Sequence, residues 1–133
     1  MDKDLFDKGM KIRREVLGDA YVDRAMARSS SFNDPLQELV ASYCWGWAWG
    51  REEQLPRRDR SLINLAMISV LNRHNELKVH IRGALNNGLT REEIREVLLQ
   101  VAIYGGIPAG VDSFRLANEA FAEIDAEGVE ELG

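Results

Sequence analysis

Residues 76–104 read ELKVHIRGALNNGLTREEIREVLLQVAIY, and two helices can be taken directly from them. Glu76 to Asn87 forms the first, with Gly88 as its stop. Thr90-Arg-Glu-Glu93 then spells a capping box, in which the Thr90 and Glu93 side chains each satisfy the other's unpaired backbone N–H. The second helix carries Ile94, Val97, Leu98, Leu99, Val101, Ala102, Ile103 and Tyr104 and is broken by Gly105-Gly106-Ile107-Pro108.

Working outward, a last helix is predicted from about Ala109 to Ala126, with Val111, Phe114, Leu116, Ala117, Ala120 and Phe121 inward, and the acidic tail EGVEELG is expected to fray. Upstream, Pro56 and Arg57 open a helix whose Leu62, Ile63, Leu65, Ala66, Met67, Ile68, Val70 and Leu71 wrap nearly the whole circumference. A helix apolar on every side is buried in a core or between subunits. A chain of 133 residues has little room to bury it alone, so a homo-oligomer is expected. Asp34-Pro35 reads as the start of a helix running to about Gly50, because Asp accepts unpaired N–H groups and Pro has none to lose. Residues 3–17 and 19–28 give two further helices, the first stopped by Gly18 and the second presenting Tyr21, Val22, Ala25 and Met26. Arg28 to Asn33 is a polar loop. With three prolines and no strand-like alternation, the expectation is an all-α, single-domain chain over 1–133, its core at about residues 5–122.

Composition narrows the function. Seventeen basic against 22 acidic residues, a net charge of −5, oppose non-specific binding to nucleic acid, which needs a basic surface. The single cysteine, Cys44, excludes an internal disulfide and a two-cysteine redox centre. No apolar run approaches the about 20 residues that span a bilayer. The charged start MDKDLFDKGMKIRREV has no signal-peptide pattern, and a cytoplasmic location is expected.

Several polar residues stand among these apolar helices. Glu76 and His80 are four apart on one helix face, where a carboxylate can orient an imidazole and raise its pKa. Spacing alone equally allows a satisfied structural histidine beside a surface ion pair. The pair also supplies two metal ligands, but no third is apparent and no metal is expected. Arg73 lies just before that helix. Arg51, Arg57, Arg58 and Arg60 flank the Pro56 turn, and arginine suits bidentate carboxylate recognition, although such runs are also plain solvated surface. Trp45 and Trp49 share a face and could wall a dry pocket or simply fill a core, and Trp47 points almost the other way. Cys44 has aromatic neighbours and no base close in sequence, a poor setting for a nucleophile.

The blocks REVLGDAYVDRA, YCWGWAWGREEQLPRRDRSLINLAM and NRHNELKVHIRGALNNGLTREEIREVLLQVAIYGGIPA resemble the carboxymuconolactone decarboxylase family, over about residues 5–122. That family sits within the wider group of alkylhydroperoxidase D-like folds. Redox members of the group carry Cys-x-x-Cys-x-x-x-His, and by that register Arg73 and Glu76 stand where the thiols would be, with His80 kept. Thiol redox chemistry is thereby removed, while acid–base or electrostatic catalysis stays open. Trp47 departs from the smaller or polar residue expected after CWG and is read as a packing residue. The resemblance implies decarboxylation of 4-carboxymuconolactone to 3-oxoadipate enol-lactone in protocatechuate catabolism, without a cofactor. It also implies a trimeric or hexameric assembly. His80, Glu76 and Arg73 are assigned to catalysis, and Arg60, Trp45, Trp49 and Tyr104 to substrate binding. The competing readings are a decarboxylase of a related lactone or β-keto acid, and a non-enzymatic oligomeric binding protein.

Overall fold

The computed structural model describes residues 2–132, and the side chains of residues 2–128. Among the described residues the regular structure is all helical: α1 (Lys3–Leu17), α2 (Asp19–Ala27), α3 (Asp34–Leu39), α4 (Arg57–Val70), α5 (His74–Asn86), α6 (Arg91–Tyr104) and α7 (Ile107–Leu132). A short 3-10 turn occupies Ser31–Asn33 and a π helix Val40–Ala48. The chain forms two compact units, Met1–Arg60 and Ser61–Gly133.

In the first unit, Asp2 caps α1 by accepting from the Asp4 and Leu5 N–H groups, at 2.9 and 3.3 Å. The single helix expected from Pro35 to Gly50 is instead α3 followed by the π helix, whose last turn is closed by Trp49 N donating to the Cys44 carbonyl at 3.0 Å. Asn33, not Asp34, precedes α3, and no side chain caps it there, so Pro35 contributes only by lacking an N–H. The sequence sign of the altered segment lies in its glycines. A Cβ on Gly9 of α1 would overlap the Ala41 carbonyl oxygen, and one on Gly46 would come within 2.5 Å of the Leu5 carbonyl oxygen. Backbone therefore meets backbone where α1 crosses the π helix, and the burial of Gly9, Ala41, Ser42, Trp45 and Gly46 follows from that approach.

The second unit is built around α5. Leu77, Ile81 and Ala84 form its buried stripe, packed with Leu65 of α4, Leu89, Ile94 and Leu98 of α6 and the segment before it, and Leu116, Ala117 and Ala120 of α7. Each fully buried leucine or isoleucine here stabilises the fold by about 1.5–3 kcal/mol. Both ends of α5 are set by the same backbone turn. Before it, Asn72 (φ +58°) lets Asn72 N donate to Ser69 O and Arg73 N to Ile68 O. After it, Gly88 (φ +94°) lets Gly88 N donate to Leu85 O and Leu89 N to Ala84 O. These are Schellman closures, and the left-handed residue each requires is an Asn in one case and a Gly in the other. The capping box of α6 forms as expected, with Glu93 N donating to Thr90 Oγ1 at 3.1 Å and Thr90 N to Glu93 Oε1 at 3.0 Å.

Two expectations change. α7 does not end at Ala126 but continues to Leu132, with Arg82 donating to both Glu127 oxygens (2.8 and 2.6 Å) and Arg91 to Asp125. The last tail residue, Gly133, lies outside the described residues. α4 is not buried all round: Ser61, Leu65 and Ser69 are buried, while Ile63, Met67 and Val70 stay exposed.

Replacing Gly9 by Ala forces a methyl group into the Ala41 carbonyl. Since overpacking costs about 1–3 kcal/mol even where side chains can give way, Gly9→Ala is expected to lose at least that much in urea unfolding. Trp45 lies on the displaced helix and Trp49 caps it, so their emission should shift. An unchanged urea midpoint would mean that α1 and the π helix do not touch as described.

Candidate active site

The N-terminal end of α5 and one face of it carry the polar residues of interest. Arg73 is the residue that precedes the helix (φ −90°, ψ 79°), fixed by the Asn72 turn, and it is exposed. Glu76 follows in the first turn, also exposed, where a carboxylate suits the positive end of the helix dipole. His80 lies one turn further on and is only half-buried, because its neighbour Ile81 takes the fully buried position. The structure thus brings Glu76 into electrostatic reach of His80.

Their balance differs from the sequence expectation. Glu76 does raise the affinity of the imidazole for a proton, but burial acts more strongly and in the opposite sense, so the His80 pKa falls below its ordinary 6.5. The ring is neutral at pH 7. A neutral imidazole offers one N–H donor and one nitrogen acceptor and brings no positive charge to hold a carboxylate.

The remaining candidates occupy other settings. Arg60 donates from Nε to the Leu55 carbonyl and from Nη2 to the Arg51 carbonyl, each at 3.1 Å, and so fastens the turn before α4. Arg57 is paired with Glu15 (3.0 Å) and Glu52 (2.7 Å). Arg51 stacks over the ring of Trp47 at 5.1 Å, and Trp47 is 57% exposed rather than packed inside. Trp45 and Trp49 do share a face: both are buried, with ring centroids 4.9 Å apart and planes inclined by 23°. Cys44 is exposed as a residue, yet desolvation of its sulfur by surrounding protein pushes the thiol up, partly offset by Arg13, which keeps the nucleophilic thiolate scarce.

Tyr104, at the end of α6, is 83% exposed and lines a cavity of about 670 Å³ between α4 and α6. The walls of this cavity are mainly Leu62, Ile63, Ala66, Val70, Val97 and Val101, with Glu93, Glu96 and Gln100 as its polar groups. Its lining does not include His80, Glu76 or Arg73. Gly105 permits the close approach of the α4 end, since a Cβ there would meet a Val70 methyl at 2.8 Å. Sequence reasoning missed one charged residue altogether. Arg13, placed on the buried face of α1, is only 7% exposed.

Comparison with known proteins places this arrangement. Residues 34–119 match the carboxymuconolactone decarboxylase family. The chain is 35% identical over 123 residues to 4-carboxymuconolactone decarboxylase of Acinetobacter baylyi, covering 92% of this chain and 91% of that one. It is 39% identical over 124 residues to nitrosuccinic acid decarboxylase npaB of Metarhizium robertsii, covering 93% and 86%. The protein is therefore a carboxy-lyase built from helices. It belongs to the carboxymuconolactone decarboxylase family.

The depressed His80 pKa has a consequence for stability. Below pH 6.5 the unfolded chain binds a proton at this position before the folded chain does, so folding stability is complete above that value and is lost as pH falls through the folded pKa. Urea midpoints measured from pH 7.5 to 5 should fall more for the native protein than for His80→Gln. Equal slopes would place the imidazole in open solvent.

Proposed function

We propose that the chain removes carbon dioxide from 4-carboxymuconolactone to give 3-oxoadipate enol-lactone, in protocatechuate catabolism, at a site centred on His80. The observation that carries this reading is a half-buried imidazole on a core helix, one turn from a carboxylate, in a chain that matches a 4-carboxymuconolactone decarboxylase over nine-tenths of its length.

The substrate bears its leaving carboxylate and a carboxymethyl arm on the same ring carbon. When the bond to the carboxylate carbon breaks, the electron pair moves through the ring double bond to the lactone carbonyl oxygen, and carbon dioxide departs. The lactone is its own electron sink. The protein must stabilise the resulting oxyanion, anchor the arm and return one proton to carbon. A neutral His80 serves the first task by donating its ring N–H to the carbonyl oxygen, where charge develops. A cationic ring would instead hold the leaving carboxylate in place. As negative charge builds beside it, the ring's proton affinity rises, so it takes a proton from water and passes it to the dienolate carbon. Glu76 is the positioning residue for His80. Arg73 anchors the carboxymethyl carboxylate.

A second reading is favoured by the 39% identity to a nitrosuccinic acid decarboxylase. Nitrosuccinate has the same local skeleton: one carbon bearing the leaving carboxylate, a carboxymethyl arm and an electron sink, here a nitro group that becomes a nitronate. One site chemistry serves both acids, and the shape of the sink separates them.

The exposed apolar residues of α4 and α6, among them Ile63, Met67 and Ile103 (73% exposed), support a homo-oligomer, trimeric or hexameric. A lone cysteine and an acidic surface fit a cytoplasmic setting. No described helix is long and apolar enough to cross a membrane.

Carbon dioxide release should be measured with the lactone, nitrosuccinate and a simple β-keto acid. The lactone is expected to turn over fastest; a preference for nitrosuccinate selects the second reading, and turnover of the keto acid alone removes both. His80→Gln should lower turnover by about 10²–10⁴-fold with helicity intact, and near-native turnover would displace His80 from the centre. Arg73→Ala should raise KM with little change in kcat. Size-exclusion chromatography should give a mass well above the 15.0 kDa monomer, which a stable monomer would contradict.

A further inference from the structure

Along α7 the second unit pairs its charges closely. Lys78 reaches Glu119 and Glu123 at 3.7 and 2.5 Å, and Arg82 reaches Glu127 and Arg91 reaches Asp125, each at 2.6 Å. Arg115 reaches Asp112 and Glu119 at 3.8 and 3.2 Å. Each described carboxylate of α7 is thereby held. Arg95, one turn beyond Arg91 on α6, has no ion pair with a described residue. The polar side chain of α7 that shares a cavity with it is an amide, Asn118. Phe114, Asn118, Phe121 and Asp125 follow at steps of four, three and four and so occupy one face of α7. That face gives Arg91 a carboxylate and leaves the charge of Arg95 uncompensated.

The cavity that Arg95 and Asn118 line measures about 210 Å³ and lies between α6 and α7. Buried Ile94, Leu98 and Ala117 contribute its apolar surface, together with the half-buried rings of Phe114 and Phe121. The Arg91 guanidinium lies over the Phe121 ring at 4.5 Å and commits Nη1 and Nη2 to Asp125, so it shapes the cavity without adding spare charge. An apolar cavity of about 150 Å³ takes up benzene, which makes this one large enough for a single ring bearing a carboxylate. Phenyl side chains favour a second ring, offset-stacked or edge-to-face. Glu92, also in the lining, opposes an acid that carries two negative charges. That disfavours the dicarboxylate lactone, and the lining includes none of His80, Glu76 and Arg73. The larger cavity between α4 and α6 has carboxylates as its only charged groups and repels any acid.

We propose that this cavity binds a small aromatic monocarboxylate, its ring against Phe114 and Phe121 and its carboxylate on Arg95 and Asn118. The guanidinium fork supplies two parallel hydrogen bonds, and the Asn118 amide N–H a third. The acid is a ligand of the α6–α7 layer, separate from the substrate. The site stands on the contacts of α6 with α7 and does not depend on which acid the chain decarboxylates.

Benzoate is the probe. The full chain is labelled with ¹⁵N-arginine, and the Arg95 Nε–H resonance, assigned by its absence in Arg95→Gln, is followed through a titration. Benzoate should shift it saturably. Benzamide keeps the ring without the charge, and acetate keeps the charge without the ring. Both should shift it far less at equal concentration and ionic strength. An unmoved resonance, or an equal response to acetate or benzamide, overturns the proposal. Asn118→Asp supplies the carboxylate that α7 lacks beside Arg95, at an exposed position where the fold should be kept. Benzoate affinity, measured by calorimetry, should fall by about tenfold or more in this variant and in Arg95→Gln, as for the loss of one charge-assisted hydrogen bond. Native affinity in either variant is equally fatal. His80→Gln should bind benzoate as the native chain does. A loss there would place the acid at the reaction site and overturn the proposal even where decarboxylation stands.

Discussion

The burial of the Leu77–Ile81–Ala84 stripe governs the second unit. These three side chains fix the rotation of α5 about its own axis, and rotation decides what every other residue of the helix meets. His80 adjoins Ile81 and is therefore drawn half into the protein, while Glu76 stays near solvent. The imidazole's weakened basicity is a by-product of that packing: desolvation outweighs the carboxylate one turn away. A rotation of α5 toward exposing His80 would restore its ordinary pKa, but it would also withdraw Ile81 from the core, at a cost of about 1.5–3 kcal/mol. Core packing and site electrostatics are thus one constraint.

The local code of this unit was readable because it is written in short range. Thr90 and Glu93 satisfy each other across three residues, and Gly88 ends α5 by a backbone turn that needs no distant partner. The Glu76–His80 pairing was legible for the same reason. What spacing could not supply was the sign of the net shift at His80, which depends on how much protein surrounds the ring. Nor could periodicity foresee the π helix. It lies where Gly9 closely approaches Ala41 and Gly46 approaches Leu5, residues more than thirty positions apart in sequence. Arg13 was overlooked in the same way: in the run KIRREV it reads as one of several surface charges, and only the packing of α1 buries it.

Charges on the surface behave differently from those within. Lys78, Arg82 and Arg91 bind the acidic half of α7 at Glu123, Glu127 and Asp125, at 2.5–2.6 Å. Exposed pairs of this kind are each worth only about 0–1 kcal/mol. Their joint effect is positional. They extend α7 along α5 and α6 beyond the end that apolar periodicity marks, which is why the expected fraying of the acidic tail does not begin at Glu127.

Under the proposed function, the placement of Arg73, Glu76 and His80 bears on how one helix can serve unlike chemistries. Glu76 and His80, four residues apart, share one side of α5, and the Asn72 turn fixes Arg73 just before the helix begins. By the register drawn from the sequence, redox members of the wider fold group would carry thiols at the first two positions. Here a cation and a carboxylate replace them, so electrons can no longer be stored on sulfur at these positions. In the proposed mechanism this face holds charge and moves a proton. A substrate carrying its own electron sink, whether a lactone carbonyl or a nitro group, needs nothing more of the protein than those two operations. Under the proposed function the scaffold therefore need not change when the sink does, and substrate choice falls to the groups that meet the sink.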